Sequence, residues 1–358
     1  MVSSSRHPSA PPSLTTPGNQ ADGPGRTDPA EPGTGRTART GLPPGLVGSL
    51  SARLAVVGVW IALTAAYWIA KPDTFGTKGT FQTIFNSQQA LVFLTAALLC
   101  TICVGEFVDL SVASVFGVAA VIPPVLYTNH GWNVWLSAVA AVLFATLCGA
   151  VNGLLIVYVK VNTIVVTLGM GTFLLGIALW MTNLMPASGL PASITKIALP
   201  HFLGLPVSFW EGLILMLAFG YVLQFTPTGR NARFVGSNRE VSRLAGIPVN
   251  RLRLGAFLIA GLIAGLGGVI SSAAIGGFDP SVSQTYLLPT FAATFLGTAI
   301  LQPGKFNPLG TLIAVYFLAT GILGLQLLGV AGWVSDVFYG GVLVVAVTIS
   351  TLLHTRSR

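Results

Sequence analysis

Charge is what this sequence has least of. Its 358 residues include 18 Lys and Arg and 10 Asp and Glu, or 8% charged. A soluble domain is about 25% charged, which is about 90 side chains at this length. So few charges cannot coat a water-facing globule of this size. That excludes a cytosolic enzyme, a disordered chain and a nucleic-acid binder. Histidine is also sparse: His7, His130, His201 and His354 are scattered and form no metal-binding cluster. The three cysteines, Cys100, Cys103 and Cys148, sit in apolar runs, and the C-x-x-C pair has lipid-like flanks (ALLCTICVG). It reads as two small hydrophobes rather than a redox or zinc pair. There is no Gly-x-x-x-x-Gly-Lys-Ser/Thr phosphate loop, Ser-His-Asp arrangement, pair of catalytic carboxylates or H-E-x-x-H motif. The chain is therefore not read as an enzyme, and no cofactor is expected.

What the sequence has in quantity is apolar length. Hydrophobic residues make up 53% and the mean hydropathy is +0.78. Ten apolar runs each approach the roughly 20 residues that cross about 30 Å of hydrocarbon. They cover 52–70, 86–105, 110–127, 133–157, 163–182, 209–225, 254–275, 287–302, 309–328 and 333–351. The expectation is an all-α polytopic membrane protein with about ten transmembrane helices. Residues 1–46 are rich in Pro, Gly, Ser, Thr and Arg and read as a disordered tail. Residues 47–358 form the membrane body.

The net charge of +8 then reads as topology. With the N-terminus inside, Lys71, Lys78 and Lys196 are the outer cations and the other 15 are inner. An inner excess of Lys and Arg is the orienting signal of membrane proteins, so both termini are expected in the cytoplasm. Trp68, Trp132, Trp135, Trp180, Trp210 and Trp333 fall at outer span ends, where an indole favours the headgroup zone.

The largest inner loop, 226–253, holds six arginines and one acid, Glu240. Ser237-Asn238-Arg239-Glu240 has the form of a capping box. Val241, Leu244 and Ala245 follow on one helical face, Gly246 is a stop, and Pro248 blocks continuation. The spacing predicts a two-turn helix over 238–245. A helix this short is not stable alone in water, so its apolar stripe needs cover from its own protein body or from another subunit.

GRNARFVGSNREVSRLAGIPVNRLRLGAFLIAGLIAGLGGVI resembles the coupling-loop region of permeases of the ribose-type (branched-chain and sugar) ABC importers. FVDLSVASVFG (107–117) resembles that family's Gly-Gly-Ile-Asp-Leu-Ser-Val-Gly-Ser segment. GAVNGLLIVYVKVNTIVVTLGMGTFLLGIAL (149–179), SGLP (188–191) and GTLIAVYFLATGILGLQLLGV (310–330) match further blocks, so the likeness spans the membrane body. The chain departs from the pattern in three places. Glu106-Phe107 stands where the family has its glycine pair, or else Val108 is inserted. Val241 and Ser242 replace alanines, and QPGKFNPLG replaces the glycine-rich loop before the ninth span.

The resemblance implies a permease subunit of a binding-protein-dependent, ATP-driven importer in a bacterial cytoplasmic membrane. It implies a cytoplasmic ABC ATPase that binds the ATP, an extracytoplasmic solute-binding protein, and a second copy or a paralogue. It also implies a coupling helix here comprising Arg239, Glu240, Val241, Arg243, Leu244 and Gly246. The solute class it favours is a monosaccharide such as a pentose or hexose, or a polyol. Branched-chain amino acids and nucleosides belong to neighbouring families. An ion-coupled secondary carrier is the rival of another class.

Polar groups at membrane depth are costly and tend to face a cavity or a partner. Glu106, Asp109 and Ser111 lie at the junction of the second and third spans, where they either line the solute path or cap a turn. Asn152, Asn162 and Thr167 complete the pathway candidates, with cross-helix bonding as the plainer role for Asn152 and Thr167. Gly261, Gly265, Gly267 and Gly268 read as a close-packing face. GEFVDLSV (105–112) and GGFDPSV (276–282) echo one another on opposite predicted sides. Spans 2–5 and 7–10 are therefore expected to be inverted repeats.

Overall fold

The computed structural model describes residues 44–198 and 200–356. The first 43 residues of the expected 1–46 tail lie outside them. The helices in chain order begin with α1 (Pro44–Ala70), the short α2 (Pro72–Phe75) and α3 (Lys78–Asn86), and α4 (Gln89–Ile102). Then come α5 (Val112–His130), α6 (Val134–Val157), α7 (Thr163–Met181) and α8 (Ala192–Ala198). After them are α9 (Val207–Phe225), α10 (Pro227–Ser237), α11 (Arg239–Leu244) and α12 (Val249–Ile275). Last are α13 (Leu287–Leu296), α14 (Pro308–Leu327) and α15 (Val334–Arg356). Four two-residue strands join them: β1 (Ala187–Ser188), β2 (His201–Phe202), β3 (Leu205–Pro206) and β4 (Gly277–Phe278).

Each of the ten expected spans falls on a helix. Seven helices among the described residues are long and apolar enough to cross a membrane, the first of them running from Lys78 to Ile102. Of the other three, α1 and α15 contain the apolar stretches Val56–Ala70 and Val334–Thr348. The eighth span differs from its expected form. In place of a continuous 287–302 helix, a 3-10 turn over Pro280–Tyr286 leads into the ten-residue α13, and a second 3-10 turn follows over Gly297–Ala299. At 1.5 Å per residue α13 is about 15 Å long, half the hydrocarbon. Its end is set by close approach: a Cβ on Gly297 would lie 2.7 Å from the Thr311 nitrogen.

Asparagines start four of the helices. Asn133 accepts from Trp135 N and Leu136 N, Asn162 from Ile164 N and Val165 N, and Asn238 from Glu240 N and Val241 N. Asn307 accepts from Gly310 N at 2.6 Å. In each case a side-chain oxygen satisfies amides that have no partner inside the helix.

The helix at the centre is α12, which packs against α4, α5 and α6. Its glycines point at all three. A Cβ on Gly261 would lie 2.5 Å from the Ala145 carbonyl oxygen of α6, and one on Gly267 would lie 2.5 Å from the Phe93 Cβ of α4. A Cβ on Gly268 would strike the Phe116 carbonyl of α5, and one on Gly149 of α6 would strike the Phe257 carbonyl of α12. The glycine run is thus the close-packing face expected of it. On the far side, Trp60 Nε1 donates to Thr320 Oγ1 at 3.0 Å and Tyr67 OH to the Gly321 carbonyl at 3.1 Å, joining α1 to α14.

The two echoing segments have one local structure. Gly105 and Gly276 both take left-handed backbone, at φ 83° and 82°. Asp109 Oδ1 accepts from Ser111 N at 3.0 Å and Ser111 Oγ at 2.6 Å. Asp279 Oδ1 accepts from Ser281 N at 2.9 Å and Ser281 Oγ at 2.7 Å. A helix, a left-handed glycine and an Asp-x-Ser turn thus recur in that order. The second turn packs on the helix that follows the first: Gln284 Nε2 donates to Ser114 Oγ, and Gly117 leaves the space that Ser283 fills. The other side of the second junction is held by β4, which pairs antiparallel with β1 of the SGLP loop.

Valine at Gly149 or Gly261 should cost about 1–3 kcal/mol by overpacking. Thermal unfolding in detergent would show this as a lowered midpoint. Valine at Gly169, where nothing lies within 4 Å of a Cβ, should leave the midpoint unchanged.

Candidate functional site

Two groups of residues carry the site. The first is the arginine-rich loop. Thr226 caps α10 through Gly229 N at 3.1 Å, and Pro227 occupies its first turn. The helix α10 runs to Ser237 and leaves one extended residue, Asn238, before α11 begins. This corrects the expected capping box. Ser237 closes α10, and the cap is Asn238, whose Oδ1 accepts from Glu240 N and Val241 N, both at 3.1 Å. Ser242 Oγ donates back to the Asn238 carbonyl at 2.7 Å. Glu240 does not close a box. Its Oε1 accepts from Arg243 Nη1 at 3.1 Å on the surface, where such a pair is worth little.

At the other end, Gly246 has φ 76° and an open position for a Cβ. The stop follows from the left-handed backbone itself. The helix is present as expected, over Arg239–Leu244. Its apolar stripe is left open by the described residues: Val241 is 46% exposed and Leu244 89%. Of the two kinds of cover left open by the sequence, the described part of the chain's own body does not supply one.

The second group is the buried junction between α4 and α5. Glu106 is 4% exposed and Asp109 4%. Glu106 Oε1 accepts from Arg239 Nη2 at 2.7 Å and from Arg253 Nε at 2.8 Å and Nη2 at 2.5 Å. Its Oε2 accepts from Thr163 Oγ1 at 2.7 Å. Three residues further on, Asp109 sits in its turn with Ser111, and Asn152 Nδ2 of α6 donates to Ser111 Oγ at 2.8 Å. Burial pushes the Asp109 carboxyl up, and the two bonds from Ser111 act against that. Asn152 Oδ1 has no hydrogen-bond partner among the described residues. It borders a cavity of about 10 Å³ lined also by Asp109, Ser111, Gly149 and Phe257, which is room for one water.

The six pathway candidates therefore divide. Asp109, Ser111 and Asn152 come together. Glu106 is committed to an ion cluster with the arginine-rich loop. Asn162 is the exposed cap of α7, and Thr167 is buried within α7, donating to the Thr163 carbonyl at 2.8 Å. Arg253 and Thr163 were not expected at the site. Both reach Glu106 across the fold, Arg253 from 147 residues away, and no local spacing announces such a contact.

A multi-pass helical body with a shortened eighth span, and a capped helix presented on a charged loop, fits a membrane transport permease. Residues 82–347 match the family described as branched-chain amino acid transport system / permease component. The chain belongs to that family. It is similar to the L-arabinose ABC transporter permease protein AraH of Azospirillum brasilense, with 30% identity over 95% of this chain and 98% of that one. It is also similar to the autoinducer 2 import system permease protein LsrD of Escherichia coli K12, with 32% identity over 83% of this chain and 94% of that one. A solved chain of PsaBC from Streptococcus pneumoniae aligns with TM-score 0.41 and 10% identity over 80% of this chain and 94% of its own, too distant to inform the site.

Asn238→Ala should weaken the start of α11 by about 1 kcal/mol. Amide exchange over 241–245 should rise about fivefold, while exchange within α12 stays as it was.

Proposed function

We propose that the chain is the membrane permease subunit of an ATP-driven importer, translocating a monosaccharide such as a pentose or hexose, or a polyol. The observation that carries this reading is α11. It is a six-residue helix, capped at Asn238 and ended at Gly246, with Leu244 and Val241 presented to the outside. An exposed apolar stripe on a helix too short to stand alone fits a complementary groove on another subunit. A cytoplasmic ABC ATPase is that partner, and it is the ATPase that binds and hydrolyses ATP. Glu240 and Gly246 set how the helix enters and leaves the groove.

The other assignments follow from the same reading. The chain lies in a bacterial cytoplasmic membrane with both termini inside, as the distribution of Lys and Arg supports. An extracytoplasmic binding protein delivers solute to the outer loops. Two copies, or this chain and a paralogue, form the path, with Asp109, Ser111, Asn152, Asn162 and Thr167 as its polar candidates. The likeness to AraH and LsrD supports a sugar-like solute. Nucleotide binding would bias the pair between access states as a rigid-body switch.

Leu244→Asp should abolish co-purification of the ATPase while the permease still inserts and folds, because the side chain touches little of its own chain. Glu240→Lys should retain insertion and lose ATP-driven uptake. In proteoliposomes, uptake of L-arabinose should require the ATPase, the binding protein and ATP. Uptake that persists without the ATPase would replace this reading with a secondary carrier. Uptake of leucine in place of any sugar would move the solute to the branched-chain amino acids.

A further inference from the structure

Glu106 stands where the resembled motif has glycine, and at the corresponding place in the second junction this chain does have one, Gly277. The two positions do different work. Gly277 lies against the Ala187 carbonyl with no room for a side chain. Glu106 sends a carboxylate into a buried cluster in which both of its oxygens accept hydrogen bonds. A carboxylate this buried persists only when paired, and its partners come from three separate elements. Arg239 is the first residue of α11, Arg253 lies in α12, and Thr163 is the first residue of α7.

We propose that Glu106 is a positioning residue for coupling. It pins the first residue of α11 to the α4–α5 junction, so that displacement of the docked helix reaches the Asp109–Ser111 turn at the head of α5. The proposal rests on the reading of α11 as the ATPase-docking helix. Three observations support it. Arg239 Nη2 donates not only to Glu106 but also to the Gly105 carbonyl at 2.7 Å, so it grips backbone as well as side chain. Gly236 of α10 lies directly on the Cys103 carbonyl, and Val104 shares an apolar cluster with Val235, Val249 and Ala256. The loop and the junction therefore form one packed body. Beyond Glu106 the chain reaches Asp109 in three residues, and the Asp109–Ser111–Asn152 bonds carry the connection onto α6. A shift of α11 thus has a continuous route of ion pair, backbone and hydrogen bonds through Glu106 into the membrane body.

The test uses the full permease with its cytoplasmic ATPase, reconstituted in nanodiscs, and needs no solute. Amide exchange is followed over 239–246 and over 107–113, with and without a non-hydrolysable ATP analogue. In the unaltered protein the analogue should change exchange in both segments. In Glu106→Gln and Arg239→Gln the change over 239–246 should remain and the change over 107–113 should fall about fivefold or more. Arg239→Lys should restore part of it. Retention of the full change over 107–113 in both glutamine variants would overturn the pin. So would exchange that is raised in both segments before nucleotide is added and does not respond to it, since that is what a merely structural role produces. If Glu106→Gln is not recovered folded, Arg239→Gln decides, because it leaves the Arg253 pair in place. An unaltered protein with no nucleotide response over 239–246 would instead overturn α11 as the docking helix.

Discussion

Inside a bilayer an apolar side chain gains nothing by leaving lipid for protein, so helices adhere where their backbones come close enough for dispersion and polar contacts to act. In this protein that condition is met around α12. Gly261, Gly267 and Gly268 bring three neighbouring helices to distances that a methyl group would forbid. Everything at the buried junction depends on the result. The approach of α6 to α12 sets where Asn152 lies, and Asn152 reaches Ser111 only because α5 is drawn to the same central helix through Gly268. The polar bonds of the junction fit the spacing that the glycines impose, and they could not create it: each is worth about 1 kcal/mol in a membrane.

Much of this was legible in the sequence because it rests on local signals. A run of about 20 apolar residues is a span wherever it occurs, so the ten helices follow from length alone. Gly246 and Pro248 announce the end of α11, because left-handed backbone and a missing amide are properties of single residues. The Gly-x-Phe, Asp and Ser-Val echo identified two turns whose glycine dihedrals and hydrogen bonds agree closely.

Local signals mislead where neighbours decide. Ser237 and Asn238 are both competent caps, and the capping-box pattern favoured the serine. It was displaced because α10 extends through it, started by the cap of Thr226 with Pro227 in the first turn. The eighth span reads as continuous because no charged residue interrupts 287–302. Its shortness comes from Gly297 meeting the backbone at Thr311, a contact between separate elements. The partners of Glu106 were illegible for the same reason: they lie 133 and 147 residues along the chain.

The scarcity of charge acquires a mechanical sense from this arrangement. A charge removed from water must be paired at close range, and the pairing fixes the groups that make it. A protein that spends few charges in its interior therefore marks, with each one, a place where elements are held in a definite relation. Asp109 and Asp279 hold their own turns, through a serine two residues away, and so shape the chain locally. Glu106 is bound to partners far off in sequence, on α7, α11 and α12, and so ties three separate elements to one carboxylate. Apolar contact between helices tolerates sliding, since one methyl replaces another at little cost. Two guanidinium groups and a hydroxyl on one carboxylate do not. Among the matched residues, the place of Glu106 and Gly277 is where the echoing junctions differ in charge. The one with Glu106 is fixed to the arginine-rich loop by ion pairs, and the one with Gly277 is held by a two-residue strand pair with β1 and by the seat of Ser283 and Gln284 on α5.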